Sequence, residues 1–250
     1  VIFQGTRLEN YYSNIPGQWG KIWLSAGSKN NIINYAIIKN GTIGIQADTI
    51  GSTIFPTLTL TNSIIMNMSA TALWGQGSYI RSYNSVFANC GLYSAVISIG
   101  GNYEFKHCTF ANFWNYNMRN TPTLLINNYY KDYLGNYQVR NLENAYFGNC
   151  IIYGNNTNEI ILDKFSSTSV FNYSFVNCLI RTTENVTDTN YFKSIINNQD
   201  PLFVNYQAND YRLTANSPAV NAGKQLYIYQ DILGNYRDIA PDIGAYEYLP

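Results

Sequence analysis

A short apolar run that ends in asparagine occurs six times along the chain, and it constrains the fold more than any other feature. Each run has a small residue, an apolar residue, a bulky apolar residue, any residue and then Asn, as at 63–67 and 85–89. Successive asparagines are separated by 27, 22, 23, 37 and 28 residues. A short strand that recurs every twenty-odd residues is typical of a solenoid. The six asparagines are Asn40, Asn67, Asn89, Asn112, Asn149 and Asn177.

The segments between the asparagines read as further short strands. One unit of the repeat contains apolar or alternating runs at 57–61, 63–66 and 72–74, with turn residues between them. No segment shows a sustained 3.6-residue apolar period with helix caps. The sequence therefore predicts an all-β solenoid with three short strands per coil and almost no helix.

The repeat asparagines themselves are expected to be structural. Asparagine tolerates left-handed backbone angles, and its side chain bonds to nearby backbone groups. Equivalent asparagines in stacked coils can also bond to one another as a ladder. We therefore predict that the six form a structural ladder at the turns and take no part in catalysis.

Composition limits the classes of partner. Charged residues make up 12% of the chain and the net charge is zero, so nucleic acid is not an expected partner. Polarity comes instead from 35 asparagines, together with Ser and Thr, and there are 23 tyrosines. Such a surface suits sugars, although tyrosine also simply fits pleated strands. No apolar run is long enough to cross a membrane. The chain opens on a strand-like run, which we interpret as a mature or trimmed form.

The four cysteines lack the spacing of a metal site. Cys90, Cys150 and Cys178 each follow a repeat asparagine and are expected to stack along one line. We interpret all four as buried thiols that act as small apolar side chains, which leaves the redox compartment open.

The longest interval, between Asn112 and Asn149, contains an insertion rich in aromatic residues. Long loops on a rigid scaffold often carry function, whereas the alternative is a hairpin that only covers the core. Aromatic rings could stack on a sugar while charged side chains orient it. The predicted carbohydrate-binding residues are Trp114, Tyr116, Arg119, Tyr129, Tyr130, Lys131, Asp132, Tyr133, Tyr137 and Arg140.

The last fifty residues change in pattern. They contain D-P-L-F from 200, D-Y-R-L from 210, S-P-A-V-N-A-G from 217 and D-I-G-A-Y-E-Y from 242. These motifs resemble the C-terminal segment of secreted bacterial right-handed parallel β-helix proteins of the choice-of-anchor Q type, common in Bacteroides-type gut bacteria. The opening run at 17–23 is similar to the first coils of such proteins.

The resemblance implies a right-handed parallel β-helix of the pectin-lyase-like fold, with about eight or nine coils at roughly 20–30 residues each. Residues 1–199 would form the coils, and residues 200–250 would form a C-terminal cap over the exposed end. The resemblance also implies a secreted or cell-envelope protein, anchored in its full-length form. It brings no catalytic site with it.

Enzymes of this fold mostly cleave acidic polysaccharides, but the sequence shows no clear site for that reaction. The single histidine, His107, stands at the head of a core strand and is interpreted as structural. A lyase could use Lys131 or an arginine as its base, and only then would calcium be expected; otherwise no metal or cofactor is predicted. Three functions stay open: a monomeric extracellular module that binds a polysaccharide, a cell-surface glycan or another surface partner without catalysis, an acidic-polysaccharide lyase or glycoside hydrolase, and a structural adhesin stalk.

Overall fold

The structure is a computed structural model that describes residues 1–50, 52–166 and 168–250. It is all-β, with almost no helix, as predicted. Two short 3-10 helices span Asn10–Tyr12 and Tyr206–Ala208. Within the described residues, no helix is long and apolar enough to cross a membrane.

The strands coincide with the apolar and alternating runs of the sequence, because side chains that alternate in polarity fit a half-buried pleated strand. In chain order the strands are β1 Ile2–Phe3, β2 Ile22–Leu24, β3 Asn31–Asn34, β4 Ile37–Lys39, β5 Ile43–Ala47, β6 Leu58–Thr61, β7 Ile64–Met68, β8 Thr71–Tyr83, β9 Val86–Cys90, β10 Tyr93–Lys106, β11 Thr109–Asn112, β12 Leu124–Asn127, β13 Tyr129–Lys131, β14 Tyr137–Val139, β15 Leu142–Gly148, β16 Ile151–Gly154, β17 Ile160–Asp163, β18 Phe171–Val176, β19 Leu179–Ile180, β20 Phe192–Lys193, β21 Ile196–Asn197, β22 Phe203–Asn205 and β23 Asp210–Leu213.

Parallel pairing arranges most strands in three stacks. The first stack has the order β1-β4-β7-β9-β11-β16-β19-β21. The second runs β2-β5-β8-β10-β12-β17 and the third β3-β6-β8-β10-β15-β18-β20, with the long strands β8 and β10 shared between them. The chain visits the stacks in turn for most of its length. This arrangement is compatible with a parallel β-helix.

The main core lies between the three stacks and contains a column of phenylalanines. Phe105, Phe147, Phe175 and Phe192 occupy paired positions on successive strands of the third stack. Neighbouring rings stack with centroids 5.0, 4.8 and 5.3 Å apart. Each such pair is worth about 0.5–1.5 kcal/mol beyond the area it buries. The column therefore holds successive levels in one register.

The six repeat asparagines lie at two corners instead of one. We call the turn that follows the first stack the second corner. It contains Asn40, Asn67, Asn89 and Asn112, which the strand register aligns with one another. Asn149 and Asn177 belong to the first corner, which precedes that stack. The repeat motif describes both corners equally well, because an apolar strand meets a left-handed asparagine at each of them.

The first corner is uniformly left-handed. Asn62, Asn84, His107, Asn149 and Asn177 have φ between 48° and 52° there. The equivalent residues His107 and Asn149 are 42 residues apart, so the insertion lengthens its level by more than the 37-residue interval indicated. Asn84 Nδ2 donates to Asn62 Oδ1 at 3.2 Å, so asparagines outside the six predicted ones also bond between successive levels.

All four cysteines are buried, and none is bridged among the described residues. The stacked line consists of Cys108, Cys150 and Cys178, each directly before a strand of the first stack. Cys90 instead ends β9, opposite Met68. The prediction placed Cys90 in this line, whereas the structure has Cys108 there. The prediction failed because the repeat motif does not distinguish the first corner from the second.

Part of the C-terminal segment packs along the outer side of the first stack. Side chains alternate along the first stack, so Phe110 and Ile152 face the main core while Ala111 and Ile151 face outward. Ile243 and Ala245 of the C-terminal segment bury this outward face in a second core. The apolar outer face of a parallel sheet needs such a cover more than its short edges do.

Candidate functional site

The insertion divides into three parts that go to different places. Residues 113–123 form a loop beside the second corner, β12 joins the second stack, and β13 and β14 form an antiparallel hairpin that projects from it. The predicted carbohydrate-binding residues are therefore not brought together in one site.

The loop 113–123 contributes two buried side chains. Trp114 is 7% exposed and donates from Nε1 to Asn117 Oδ1 at 2.8 Å. Arg119 is also 7% exposed, and its guanidinium makes a two-pronged ion pair with Glu159 at 2.7 and 3.0 Å. Arg119 also donates to the Asn112 carbonyl at 3.0 Å. Arg119 therefore connects the loop to the stacks through its bonds to Glu159 and Asn112.

The hairpin is closed by a carboxylate at its turn. Asp132 accepts from the side-chain amide of Gln138 at 2.9 Å and from the backbone N–H groups of Asn136 at 2.9 Å and Leu134 at 3.0 Å. These bonds, with that of Gln138 as the largest cause, hold the pKa of Asp132 below its usual value. Asp132 therefore shapes the turn.

The tip and the outer residues of the hairpin face solvent. Tyr133 is 94% exposed at the tip, and the ammonium of Lys131 lies 5.6 Å from the ring centroid of Tyr137. Arg140 is exposed at the base of the hairpin, beside Gly77. Tyr116, outside the hairpin, is half-exposed and donates to the Asn14 carbonyl at 2.5 Å.

A groove of about 370 Å³ runs between the hairpin and the outer face of the second stack. We call it the hairpin groove. Its floor consists of Trp74, Val96 and Leu125, which are paired in register on β8, β10 and β12. Tyr129 and Tyr130 of the hairpin form one wall. Leu92 and Tyr93 border the groove at the opposite side, so it is mainly apolar and aromatic.

A polar row runs along the same groove. Gln76, Ser98 and Asn127 lie two residues beyond the floor side chains on the same three strands. Trp74 Nε1 donates to Ser98 Oγ at 3.0 Å, and Asn127 Oδ1 accepts from the Ile99 N–H at 3.0 Å. An aromatic floor beside a row of neutral polar groups is an arrangement that can hold a sugar by stacking and hydrogen bonding.

The wall residue Tyr129 is held in place by Asp163, at the end of β17 in the second stack. Its hydroxyl donates to Asp163 at 2.6 Å, and this hydrogen bond raises the pKa of Tyr129 to about 12. Tyr129 is therefore a neutral donor at physiological pH. Its ring also packs against Phe165 at a centroid distance of 5.3 Å, which holds the base of the hairpin in place.

Sequence reasoning identified the wall of the groove but not its floor. Trp74 belongs to a predicted strand, and its apolar neighbours Leu73 and Gly75 face the core. Period-two alternation therefore places Trp74 outward, and an outward tryptophan is unusual enough to mark a contact surface. Trp74 and Tyr129 are far apart in sequence, and only the stacking of β8, β10 and β12 brings them to the same groove.

The charged residues of the insertion divide between the loop 113–123, which contains Arg119, and the hairpin, which contains Lys131. Arg119 is paired with Glu159, Asp132 closes its turn, and Arg140 lies at the hairpin base. Over residues 1–50, 52–166 and 168–250, no group of three or more His, Cys, Asp or Glu side chains could hold a metal ion.

A different charged cluster lies on the outer face of the third stack. The Lys106 ammonium pairs with Glu104 at 2.7 Å, and Tyr83 donates to the same carboxylate at 2.6 Å. Burial and the Glu104 carboxylate raise the pKa of Tyr83 above its usual value, so its hydroxyl stays protonated. Glu104 and Lys106 line an open cleft of about 650 Å³, and Lys224 lines it as well.

The sequence was also compared with known families and proteins. It matches no protein-family model, and no curated protein matches it.

Proposed function

We propose that the chain is a secreted or cell-envelope β-helix of the right-handed, pectin-lyase-like type that binds glycan without catalysis. The observation that carries this proposal is the hairpin groove, where Trp74 and the tyrosine wall of the insertion face each other over neutral polar groups. The three parallel stacks and the C-terminal motifs support the type of fold. The same motifs support the location and an anchored full-length form.

Binding in the groove would combine two physical contributions. The apolar face of a sugar ring stacks on Trp74 and Tyr130, which excludes water from both surfaces. Gln76 and Asn127 then bond to the hydroxyl groups at the ring edge. Because the groove crosses the neighbouring strands β8, β10 and β12, which lie about 4.8 Å apart, its length suits about two linked sugar units.

The proposal is tested on a glycan array, followed by titration of the best polysaccharide. Trp74→Ala should weaken binding about 5- to 150-fold, because the comparable stacking of a nucleic-acid base on an aromatic side chain contributes about 1–3 kcal/mol. Trp23→Ala is the matched control, since Trp23 is 58% exposed on β2 and lies outside the groove. Absence of binding by the parent protein would favour the stalk function instead.

Action on an acidic polysaccharide is the second candidate, and the cluster around Glu104 favours it. Lys106 and Lys224 could pair with a sugar carboxylate in the cleft of the third stack. The protonated Tyr83 can donate a proton but cannot act as a base near neutral pH. An assay for unsaturated products separates the two functions, because binding without product supports the non-catalytic module.

A further inference from the structure

A second cleft, of about 330 Å³, lies at the second corner and shares no lining residue with the hairpin groove. We call it the amide cleft. Its lining comes from five separate parts of the chain: Asn14 near the N-terminus, Asn67 and Asn89 at the corner, residues 113–116 of the insertion, Asn155 just after β16, and Tyr206, Gln207 and Asn209 of the C-terminal segment. The volume is at the lower end of the range of ligand pockets, about 300–1,000 Å³.

Two aromatic pairs build its apolar surfaces. Phe113 and Tyr206 stack at a centroid distance of 4.0 Å with an interplanar angle of 20°. Trp114 and Tyr116 lie 4.8 Å apart at 44°. The insertion and the C-terminal segment therefore meet through rings, which gives the cleft firm walls.

Hydrogen bonds fix the amides at its base. Asn67 Nδ2 donates to Asn40 Oδ1 at 2.6 Å and to the Asn14 carbonyl at 2.5 Å. Asn89 Oδ1 accepts from the Phe113 N–H at 3.2 Å, while its Nδ2 donates to the side chain of Asn209. These asparagines are positioned before any ligand arrives.

Other amides at the rim have unused hydrogen-bonding capacity. In the part of the chain that the structure describes, the side chains of Asn14, Asn115 and Gln207 make no hydrogen bond, although all three line the cleft and are exposed. Each carboxamide offers two donors and one acceptor. Among the residues that the structure describes, no charged side chain lines the cleft.

We propose that the amide cleft is a second binding site, which takes a single neutral sugar ring. Hydroxyl groups both donate and accept, as carboxamides do, and a pyranose ring has an apolar face for the aromatic walls. A charged ligand would find no counter-charge there and would lose its hydration without compensation. This site stands or falls independently of the hairpin groove.

Isothermal titration of the full chain with glucose, galactose, mannose and N-acetylglucosamine tests the proposal, with glucuronate as the charged comparison. At least one neutral sugar should bind, and glucuronate should bind at least tenfold more weakly. The double variant Asn115→Ala/Gln207→Ala should weaken neutral-sugar binding about tenfold or more, since two hydrogen bonds are lost. Asn190→Ala is the matched control, because Asn190 is an exposed asparagine outside the cleft.

The proposal is overturned if no neutral monosaccharide binds, if the double variant binds as the parent does, or if glucuronate is preferred. Trp74→Ala distinguishes this site from the hairpin groove. That variant should lose affinity for the polysaccharide and keep its affinity for the single sugar. Loss of both in Trp74→Ala would assign the single sugar to the hairpin groove and would contradict the amide cleft.

Discussion

Asn149 Nδ2 lies 3.0 Å from His107 Nε2, and the two residues occupy equivalent positions at consecutive levels of the first corner. Because the asparagine amide donates, Nε2 of the imidazole accepts and the ring is neutral. Burial, with a further contribution from the charge of Arg237, holds the pKa of His107 well below its ordinary value. The histidine thus takes the place of a ladder asparagine.

This relationship predicts a specific loss of stability in acid. In the unfolded chain the imidazole binds a proton below pH ~6.5, whereas the buried ring does not, so this contribution is present above that pH and is lost as pH falls below it. The loss has a limit of about 1.4 kcal/mol per pH unit. His107→Asn should flatten this part of the profile, as measured by urea unfolding between pH 7 and 5. An unchanged slope in the variant would contradict the assignment.

Breaking the Arg119–Glu159 pair should be costly. Both side chains are almost fully buried, and Glu159 also accepts from Thr123 N and Oγ1 at 2.7 and 2.8 Å. Arg119→Met leaves that carboxylate without its counter-charge and should lower the free energy of unfolding by about 3–5 kcal/mol. Urea denaturation measures the effect.

The matched control for this pair is Arg212→Met. Arg212 pairs with Asp210 at 2.5 Å, but its side chain is 57% exposed. Exposed pairs contribute only about 0–1 kcal/mol. Equal losses in the two variants would show that burial of the Arg119 pair has no energetic consequence.

Asp132→Ala should open the hairpin without unfolding the protein. The variant removes the acceptor for Gln138, Asn136 and Leu134, so amide hydrogens of β14 should exchange faster while those of β15 stay protected. Polysaccharide affinity should fall as well, because Tyr129 and Tyr130 belong to the same hairpin. Glu143→Ala, at an exposed carboxylate elsewhere, is the control for charge. Protection of β14 at the parent level would rule out this role for Asp132.

Ile99→Asn should stabilise the protein. Ile99 has φ 62°, a left-handed angle that a β-branched residue adopts only with strain, and Gly100 and Gly101 follow it with positive φ. Asparagine accepts this angle at every level of the first corner where it occurs. We expect the midpoint of urea unfolding to rise by the equivalent of about 1 kcal/mol. A lower midpoint would mean that packing of the Ile99 side chain outweighs the backbone strain.

The local structure of this chain could be predicted because it depends on short-range chemistry. Period-two alternation located β6, β7 and β9 within a residue or two, since side chains of a strand alternate between core and solvent. Left-handed corners followed from asparagine, which tolerates that conformation. The sequence marked the interval 112–149 as an insertion, but a hairpin there was only the alternative to a functional loop.

Tertiary structure decided which of these features meet. One motif serves two corners, so only strand register could show that Asn112 and Asn149 are not equivalent. The sequence suggested that Arg119 could bind a ligand, but in the fold it pairs with Glu159, 40 residues later. Stacking of distant strands placed Trp74 and Tyr129 in one groove. Docking of the C-terminal segment placed Gln207 in one cleft with Asn115. Sequence by itself determined the strands and turns, because these depend on neighbouring residues. The sites needed the folded protein, because a groove is a relation between surfaces.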